Sequence, residues 1–307
     1  MEGQSLPIAN VGFIGLGKMG DPMARRLVDA GVSVHVFDSD RSRIDRFLST
    51  NKAEAYGSLE DLARQCEVAI TMLPNGTVVR EVVLGNTGGG GSALLPGLAR
   101  GSILVDMSSS SPVGTRELGR QLSERGIPMV DAPVSGGVRK AEDGTLSIMA
   151  GGDPAVIERC RGLLSAMGRQ IFLTGPLGSG HAMKALNNYV SAAGLLAAAE
   201  ALMAGQRFGL EPGVIINILN ASSGRNNSTE NKFNQFILSR TFASGFGLGL
   251  MAKDIGIAME VADATGTPTP LGQRCLEVWR EAESKLGPSS DHTEVIRYLE
   301  KILAESH

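Results

Sequence analysis

Val11-Gly-Phe-Ile-Gly-Leu-Gly-Lys-Met-Gly20 decides the reading of this chain. Gly15, Gly17 and Gly20 form G-x-G-x-x-G directly after the apolar run 11–14 and directly before Pro22-Met-Ala-Arg-Arg-Leu-Val28, which has helical spacing. A second apolar run, Val32-Ser-Val-His-Val-Phe37, follows and ends in Asp38. With 40 glycines in 307 residues a glycine triplet alone is weak. Strand, glycines, helix, strand and acid in that order are much stronger, because each part has a physical task. Gly15 permits the tight turn, Gly17 lets a pyrophosphate approach the backbone, and Gly20 lets the helix pack close to the strand. The helix N-terminus then offers N–H groups and a partial positive charge to the phosphates. The bland alternative is a glycine-rich turn in an ordinary α/β unit.

Asp38 stands where a carboxylate accepts hydrogen bonds from the adenosine ribose, and it would repel a 2′-phosphate. This favours NAD over NADP. Arg41 and Arg43 follow closely and soften the preference if they reach a phosphate; otherwise they are solvated arginines at a helix start.

Residues 307 in number suggest two domains with ample core. Hydrophobic residues are 42% and charged ones 20%, ordinary for a globular chain, and a net charge of −3 gives no footprint for nucleic acid. Cys66, Cys160 and Cys275 are far apart and form no C-x-x-C pair, so neither a disulfide framework nor a metal site is suggested. Reduced thiols in the cytoplasm are the simplest account. Met1-Glu-Gly-Gln-Ser-Leu-Pro7 has no basic and no apolar segment of a secretory signal, and no run of about 20 apolar residues suits a membrane. Gly85-Asn-Thr-Gly-Gly-Gly-Gly-Ser92 lacks G-K-[ST] and reads as a loop rather than a nucleotide-triphosphate site.

Short apolar runs at 11–14, 34–37, 68–73, 103–106, 128–131, 146–150 and 171–173 alternate with helical patterns. This predicts a mostly parallel Rossmann-type sheet with helices on both faces. Asp153 reads as an N-cap, with Pro154 at the first helical position and Gly168 past the end. From about Gly178 the strand signals stop, and helices are expected at 178–208, 212–221, 229–239, 247–265, 268–286 and 292–304. The fold class is therefore α/β: a dinucleotide-binding domain over 1–176, then an all-α domain over 177–307 for substrate and oligomerisation, joined by a long helix. That helix is apolar on nearly all sides after Tyr189, so it is expected to be buried between domains or subunits.

Lys184 is the leading candidate for proton transfer. In Gly180-His-Ala-Met-Lys-Ala-Leu-Asn-Asn188, positions 180, 184 and 188 share one helical face. A lysine in a partly desolvated site loses basicity and exchanges a proton near neutral pH. Asn188 one turn on would orient a substrate oxygen. On spacing alone, both residues equally suit the wet face of a helix start. Asp131-Ala-Pro-Val-Ser-Gly-Gly137 follows a strand, and Ser135, Gly136 and Gly137 offer a hydroxyl and backbone N–H groups to a carboxylate. Taken by itself the segment is more simply a strand-to-loop turn. Lys253, in Phe246-Gly-Leu-Gly-Leu-Met-Ala-Lys-Asp254, is a second cation for a substrate carboxylate, though surface Lys-Asp neighbours usually mean little. His35, His181, His292 and His307 show no metal-ligand spacing.

Taken together, Gly12-Phe-Ile-Gly-Leu-Gly-Lys-Met-Gly-Asp-Pro-Met23, the segment 131–137, the segment 180–188 and Lys253-Asp254 resemble the β-hydroxyacid dehydrogenase family over nearly the whole chain. That family includes 3-hydroxyisobutyrate dehydrogenase, tartronate semialdehyde reductase and relatives of 6-phosphogluconate dehydrogenase. The resemblance implies an NAD-dependent oxidoreductase, with NADP as the alternative cofactor, moving hydride to or from a short 3-hydroxy acid. It implies Lys184 as catalytic acid/base, Ser135, Gly136, Gly137 and Asn188 around the substrate, and Lys253 near nicotinamide and substrate carboxylate. Gly15, Leu16, Gly17, Lys18, Met19, Gly20, Asp38, Leu73, Pro74, Asn75 and Ser109 would line the cofactor site. Ser108-Ser109 replaces a frequent Ser-Thr and keeps the hydroxyl. Ser222-Ser-Gly-Arg-Asn-Asn-Ser-Thr-Glu-Asn-Lys232 is unusually polar for a 3-hydroxyisobutyrate dehydrogenase, and Arg225 is a candidate for a second substrate anion, the alternative being a solvated loop capped by Ser222 or Ser223.

Two rivals are a catalytically silent dinucleotide-binding sensor or scaffold and an imine reductase on a similar scaffold. Proteins of the first kind are expected to lose the lysine, and the second commonly carry an acid or tyrosine there; this chain keeps Lys184. By family analogy the assembly is a homodimer or homotetramer, with no nucleic-acid or membrane partner.

Overall fold

The computed structural model describes residues 8–85 and 92–305. Most of the glycine-rich stretch 85–92, the first seven residues and His307 therefore lie outside the described residues. The chain divides into two compact units between Lys184 and Ala185.

In the first unit, β1 (Asn10–Ile14), α1 (Gly20–Asp29), β2 (Ser33–Phe37), α2 (Arg41–Leu48), β3 (Glu54–Ala55), α3 (Leu59–Gln65), β4 (Val68–Thr71), α4 (Gly76–Leu84) and β5 (Ile103–Asp106) come first. They are followed by α5 (Pro112–Ser123), β6 (Met129–Asp131), β7 (Val134–Ser135), α6 (Gly137–Glu142), β8 (Leu146–Gly151), α7 (Pro154–Met167) and β9 (Gly168–Gly175). The strands form one sheet in the order β3-β2-β1-β4-β5-β6-β8-β7, with β9 beside β8. Pairing is parallel from β3 through β6 and between β8 and β9; β8 runs antiparallel to β6 and β7.

Strand periodicity explains the layering. Val11, Phe13, Val68, Ile70, Ile103 and Val105 point to one face, where they pack with Met23, Leu27, Phe47 and Leu164 from α1, α2 and α7. The alternate residues Ile14, Ala69 and Leu104 point to the other, against Leu62, Val79 and Leu118 from α3, α4 and α5. Buried on both sides, the central strands β1, β4 and β5 read as continuous apolar runs, which is why they stood out in the sequence. Asp153 caps α7 through the Ala155 N–H at 2.8 Å, with Pro154 in the first turn. The two-residue strands β3 and β7 carry too few residues for a periodic signal. Burial pushes the Cys66 and Cys160 thiols up to about 11 and 12, so neither is a poised nucleophile.

The second unit is helical: the greater part of α8 (Ser179–Phe208), then α9 (Pro212–Ala221), a π-helix (Thr229–Ile237), α10 (Leu248–Ala264), α11 (Pro270–Leu286) and α12 (Val295–Glu305). Its core joins Ala192, Leu195, Ala199 and Leu202 of α8 to Ile255, Trp279 and Leu299. Within the single chain the burial of this helix is one-sided. α8 hides one stripe, while Val190 is 68% exposed and Glu200 faces water. Its alanines are too small to mark a face by hydropathy alone. Among the described residues no helix is long and apolar enough to cross a membrane.

Candidate functional site

The glycine loop lies in the first unit where the sheet order reverses, β1 lying between β2 and β4. Such switch points open a crevice at the carboxyl ends of the strands. The in-register ends Ile14, Thr71 and Asp106 of β1, β4 and β5 set the three following loops side by side. Gly15 adopts φ +101°, and a Cβ there would stand 2.4 Å from the Met72 carbonyl oxygen. A Cβ on Gly20 would stand 1.8 Å from the Gly15 carbonyl oxygen. Both are required by the protein's own backbone. Gly17 differs, since the nearest atom to its Cβ position is Arg43 Nη1 at 3.9 Å. Its bare side is open, as close approach of a pyrophosphate needs. No side chain caps the start of α1.

Asp38 is 8% exposed at the end of β2. One carboxylate oxygen accepts the Leu16 N–H at 2.7 Å and the other the Asp40 N–H at 2.8 Å. The acid thus ties the glycine loop to β2 while each oxygen keeps a lone pair for a ribose hydroxyl. Arg43 stands 3.5 Å from Asp38 and 3.3 Å from Asp40. A cavity of about 490 Å³ beside the loop is lined by Leu16, Gly17 and Lys18 together with Arg25, Arg43 and Arg46. Four cations against the two acids Asp21 and Glu142 on its wall favour phosphate. In the next loop Leu73 donates its N–H to the Ser108 hydroxyl at 2.9 Å, and Asn75 caps α4 through the Val78 N–H at 2.9 Å. Pro74 and Ser109 follow the ends of β4 and β5. The bare flank of Gly17, the uncapped helix and the anchored acid fit a dinucleotide.

Ser135 closes β7, half-buried opposite Ser147 of β8. Gly136 and Gly137 follow at φ +139° and +71°, exposed at the uncapped start of α6. α8 starts at Ser179 and carries half-buried Lys184 in its second turn. The helix continues unbroken to Asn188, one turn on and 7% exposed. Within the second unit Asn188 donates Nδ2 to Asp254 Oδ2 at 2.6 Å, and Lys253 Nζ stands 3.4 Å from the other Asp254 oxygen. Two predicted residues, Asn188 and Lys253, are therefore joined through an acid that the sequence reading left without a role.

Three further buried groups were missed: Asp131, Asp106 and His181. The only sequence signal was an acid closing an apolar strand run. The polar loop adds a residue to the expectation. Ser222 closes α9 as its C-cap through its backbone N–H, while at the far end of the loop Asn226 Oδ1 accepts the Ser228 and Thr229 N–H groups at 2.8 and 3.1 Å. Arg225 lies 3.7 Å from Glu230 with its side chain 64% exposed, so its charge is already answered. The following turn widens into the π-helix, which carries Lys232; burial holds the Lys232 ammonium below its ordinary value.

Comparison with known proteins places this geometry. Residues 10–175 match the NAD-binding domain of 6-phosphogluconate dehydrogenase, and residues 178–299 match the NAD-binding domain of NADP-dependent 3-hydroxyisobutyrate dehydrogenase. The chain is 36% identical over 296 residues to 2-(hydroxymethyl)glutarate dehydrogenase of Eubacterium barkeri, covering 96% of each. It is 38% identical over 276 residues to an NAD-dependent L-serine dehydrogenase of Pseudomonas aeruginosa, covering 88% of this chain and 91% of that one. A solved 3-hydroxyisobutyrate dehydrogenase of Mycobacterium tuberculosis with L-serine superimposes with a TM-score of 0.85 at 30% identity, over 95% of this chain and 99% of that one. With both units matched by the family's models and by relatives over nearly their whole length, this chain belongs to the β-hydroxyacid dehydrogenase family and is an NAD(P)-dependent hydroxyacid dehydrogenase.

Proposed function

We propose that the protein catalyses the reversible oxidation of a short 3-hydroxy acid of the form HOCH2–CH(R)–COO⁻ to its semialdehyde, with NAD as the preferred cofactor. The observation that carries this reading is the unbroken helix placing Lys184 one turn before Asn188, whose amide is held by the acid beside Lys253. The three relatives support the substrate class, because 2-(hydroxymethyl)glutarate, L-serine and 3-hydroxyisobutyrate share that skeleton and differ only in R.

In oxidation, neutral Lys184 takes the hydroxyl proton as the carbinol C–H electron pair departs as hydride, leaving a C=O. In reduction its ammonium returns the proton to the developing alkoxide. With its pyrophosphate held at the glycine loop, a bound NAD would supply the hydride acceptor in oxidation and, reduced, the donor in the reverse direction. Asn188 spends one amide hydrogen on Asp254 and one lone pair on the Asn187 side-chain N–H at 3.1 Å, keeps one of each, and orients the reacting oxygen. Ser135, the Gly136 and Gly137 N–H groups and Lys253 hold the carboxylate, so that orientation lowers the barrier. Asp38 favours NAD by repelling a 2′-phosphate. Exposed Phe208, Leu210, Val214 and Ile218 on the second unit support a homodimer or homotetramer, which light scattering of the purified protein tests.

The deciding experiment follows cofactor reduction with NAD or NADP across 3-hydroxyisobutyrate, L-serine, 2-(hydroxymethyl)glutarate, glycerate and 3-hydroxypropionate. Lys184→Ala is expected to keep NAD binding and lose turnover by roughly 100-fold or more. Normal turnover in that variant removes Lys184 from the mechanism. Silence across the whole panel with NAD bound would overturn this substrate class and point to a hydroxy acid of another skeleton.

A further inference from the structure

Asp131 closes β6 and is wholly buried. Its Oδ1 accepts the Gly178 N–H and its Oδ2 the His181 N–H, each at 2.7 Å. Both donors belong to the start of α8, where a helix lacks internal acceptors for its N–H groups. A buried carboxylate is also the charge that a helix N-terminus stabilises. Burial raises the Asp131 carboxyl above its ordinary range; the nearby His181 and the two N–H bonds act in the opposite sense.

The His181 ring makes a second tether. Thr115 Oγ1 donates to the Ser111 carbonyl at 2.9 Å and lies 2.8 Å from His181 Nδ1. With its one hydrogen spent, that hydroxyl accepts from Nδ1–H. Nε2 faces Asp106 Oδ2 at 3.6 Å. Asp106 is held in turn by the Thr71 and Ser110 hydroxyls and the Ser108 N–H, at 3.0, 2.8 and 3.0 Å. Glycines enforce the close fit. A Cβ on Gly180 would stand 2.2 Å from the Met149 carbonyl oxygen and 2.9 Å from Asp131 Oδ2, and one on Gly151 would stand 2.6 Å from Asp131 Oδ1. Two backbone donors and one ring thus hold a single helical turn against the ends of β5 and β6, three residues before Lys184.

We propose that Asp131 and His181 are positioning residues that fix the first turn of α8 and thereby set the depth and rotation of Lys184 for proton transfer. This rests on the reading of Lys184 as the proton-transfer group. Neither residue touches substrate; each acts through the lysine. A purely structural role would lower stability and leave the chemical step alone, whereas misplacing a reacting group by about 1 Å costs on the order of 100-fold in rate.

The test is a double-mutant cycle in the full-length enzyme. Asp131→Asn keeps the shape and replaces one acceptor with an NH2 that cannot receive an N–H. In the wild-type background kcat is expected to fall roughly 10- to 100-fold, with NAD affinity by fluorescence titration within about twofold. In the Lys184→Ala background the same substitution is expected to lower the residual rate by less than about twofold, because residues acting as a unit are not additive. If Asp131→Asn does not fold, Thr115→Val removes the acceptor of His181 Nδ1 and carries the same cycle. Equal losses in both backgrounds, or an unchanged kcat in a folded variant, overturn the proposal. A fully active Lys184→Ala enzyme overturns the proton-transfer role and the positioning proposal together, and is recognised by the single mutant alone.

Discussion

Asn188 gives its side-chain N–H to Asp254 at 2.6 Å, both residues almost closed to water. They are far apart in sequence, yet the bond fixes which way the Asn188 amide faces. A buried amide needs that partner, and a buried carboxylate needs both a donor and a counter-charge; Lys253, 3.4 Å from the second oxygen, supplies the charge.

Removing Asp254 therefore strikes two proposed substrate contacts at once. Asp254→Ala takes away the acceptor of Asn188 Nδ2 and leaves Lys253 without its neighbouring acid. We expect KM for the hydroxy acid to rise about 10-fold or more and stability to fall by about 1–3 kcal/mol. Steady-state kinetics and thermal melts measure both. Wild-type values for KM and kcat would show that the Asn188 amide does not meet substrate.

Asp38, which we propose sets the cofactor preference, also braces the glycine loop through Leu16. In Asp38→Ser the repulsion of a 2′-phosphate disappears and Arg43 loses one of its two acids. The NADP-to-NAD ratio of kcat/KM is expected to rise by roughly 10-fold, and NAD use itself to weaken. An unchanged ratio would mean that the ribose hydroxyls are read elsewhere.

Gly17 and Gly20 separate binding from folding. Gly17→Ala meets no protein atom nearer than 3.9 Å, so its melting temperature should stay within a degree or two while NAD affinity drops about 10-fold. Gly20→Ala drives a methyl group into the Gly15 carbonyl and should lower the melting temperature by several degrees. Equal melting temperatures for the two variants would contradict the packing described for the loop.

His292 gives the second unit an acid-sensitive point. It is buried between Trp279 and Phe246, and burial with the nearby Lys232 charge holds its pKa down at about 4. The unfolded chain binds this proton near pH 6.5, the folded chain only near 4. Stability from the neutral ring is therefore complete above pH 6.5 and is lost as pH falls toward 4, by on the order of 3 kcal/mol. Denaturant melts between pH 7.5 and 4.5 should show this slope, and His292→Gln should flatten it. His35, whose pKa is also lowered by burial, leaves a shallower slope in that variant.

The sequence by itself determined the architecture of the first unit and the local part of its cofactor site. A doubly wound parallel sheet buries each strand on both faces, so its strands are short apolar runs; a phosphate-binding turn needs glycines at fixed spacing, so G-x-G-x-x-G and Asp38 are local signals. That Lys184 and Asn188 share one helical face was legible because helical spacing is local too, whereas their proposed roles came from the family resemblance. Only the tertiary structure decided what those residues lean on. Asp131 reaches the N–H groups of Gly178 and His181, Asp106 faces the His181 ring, and Asp254 reaches Asn188. Each partner lies dozens of residues away, at distances no periodicity encodes. The same reason hid the cap of the polar loop: several Ser and Asn residues compete for the N–H groups there, and packing of Asn226 against the Gly194 carbonyl of α8 helped select it.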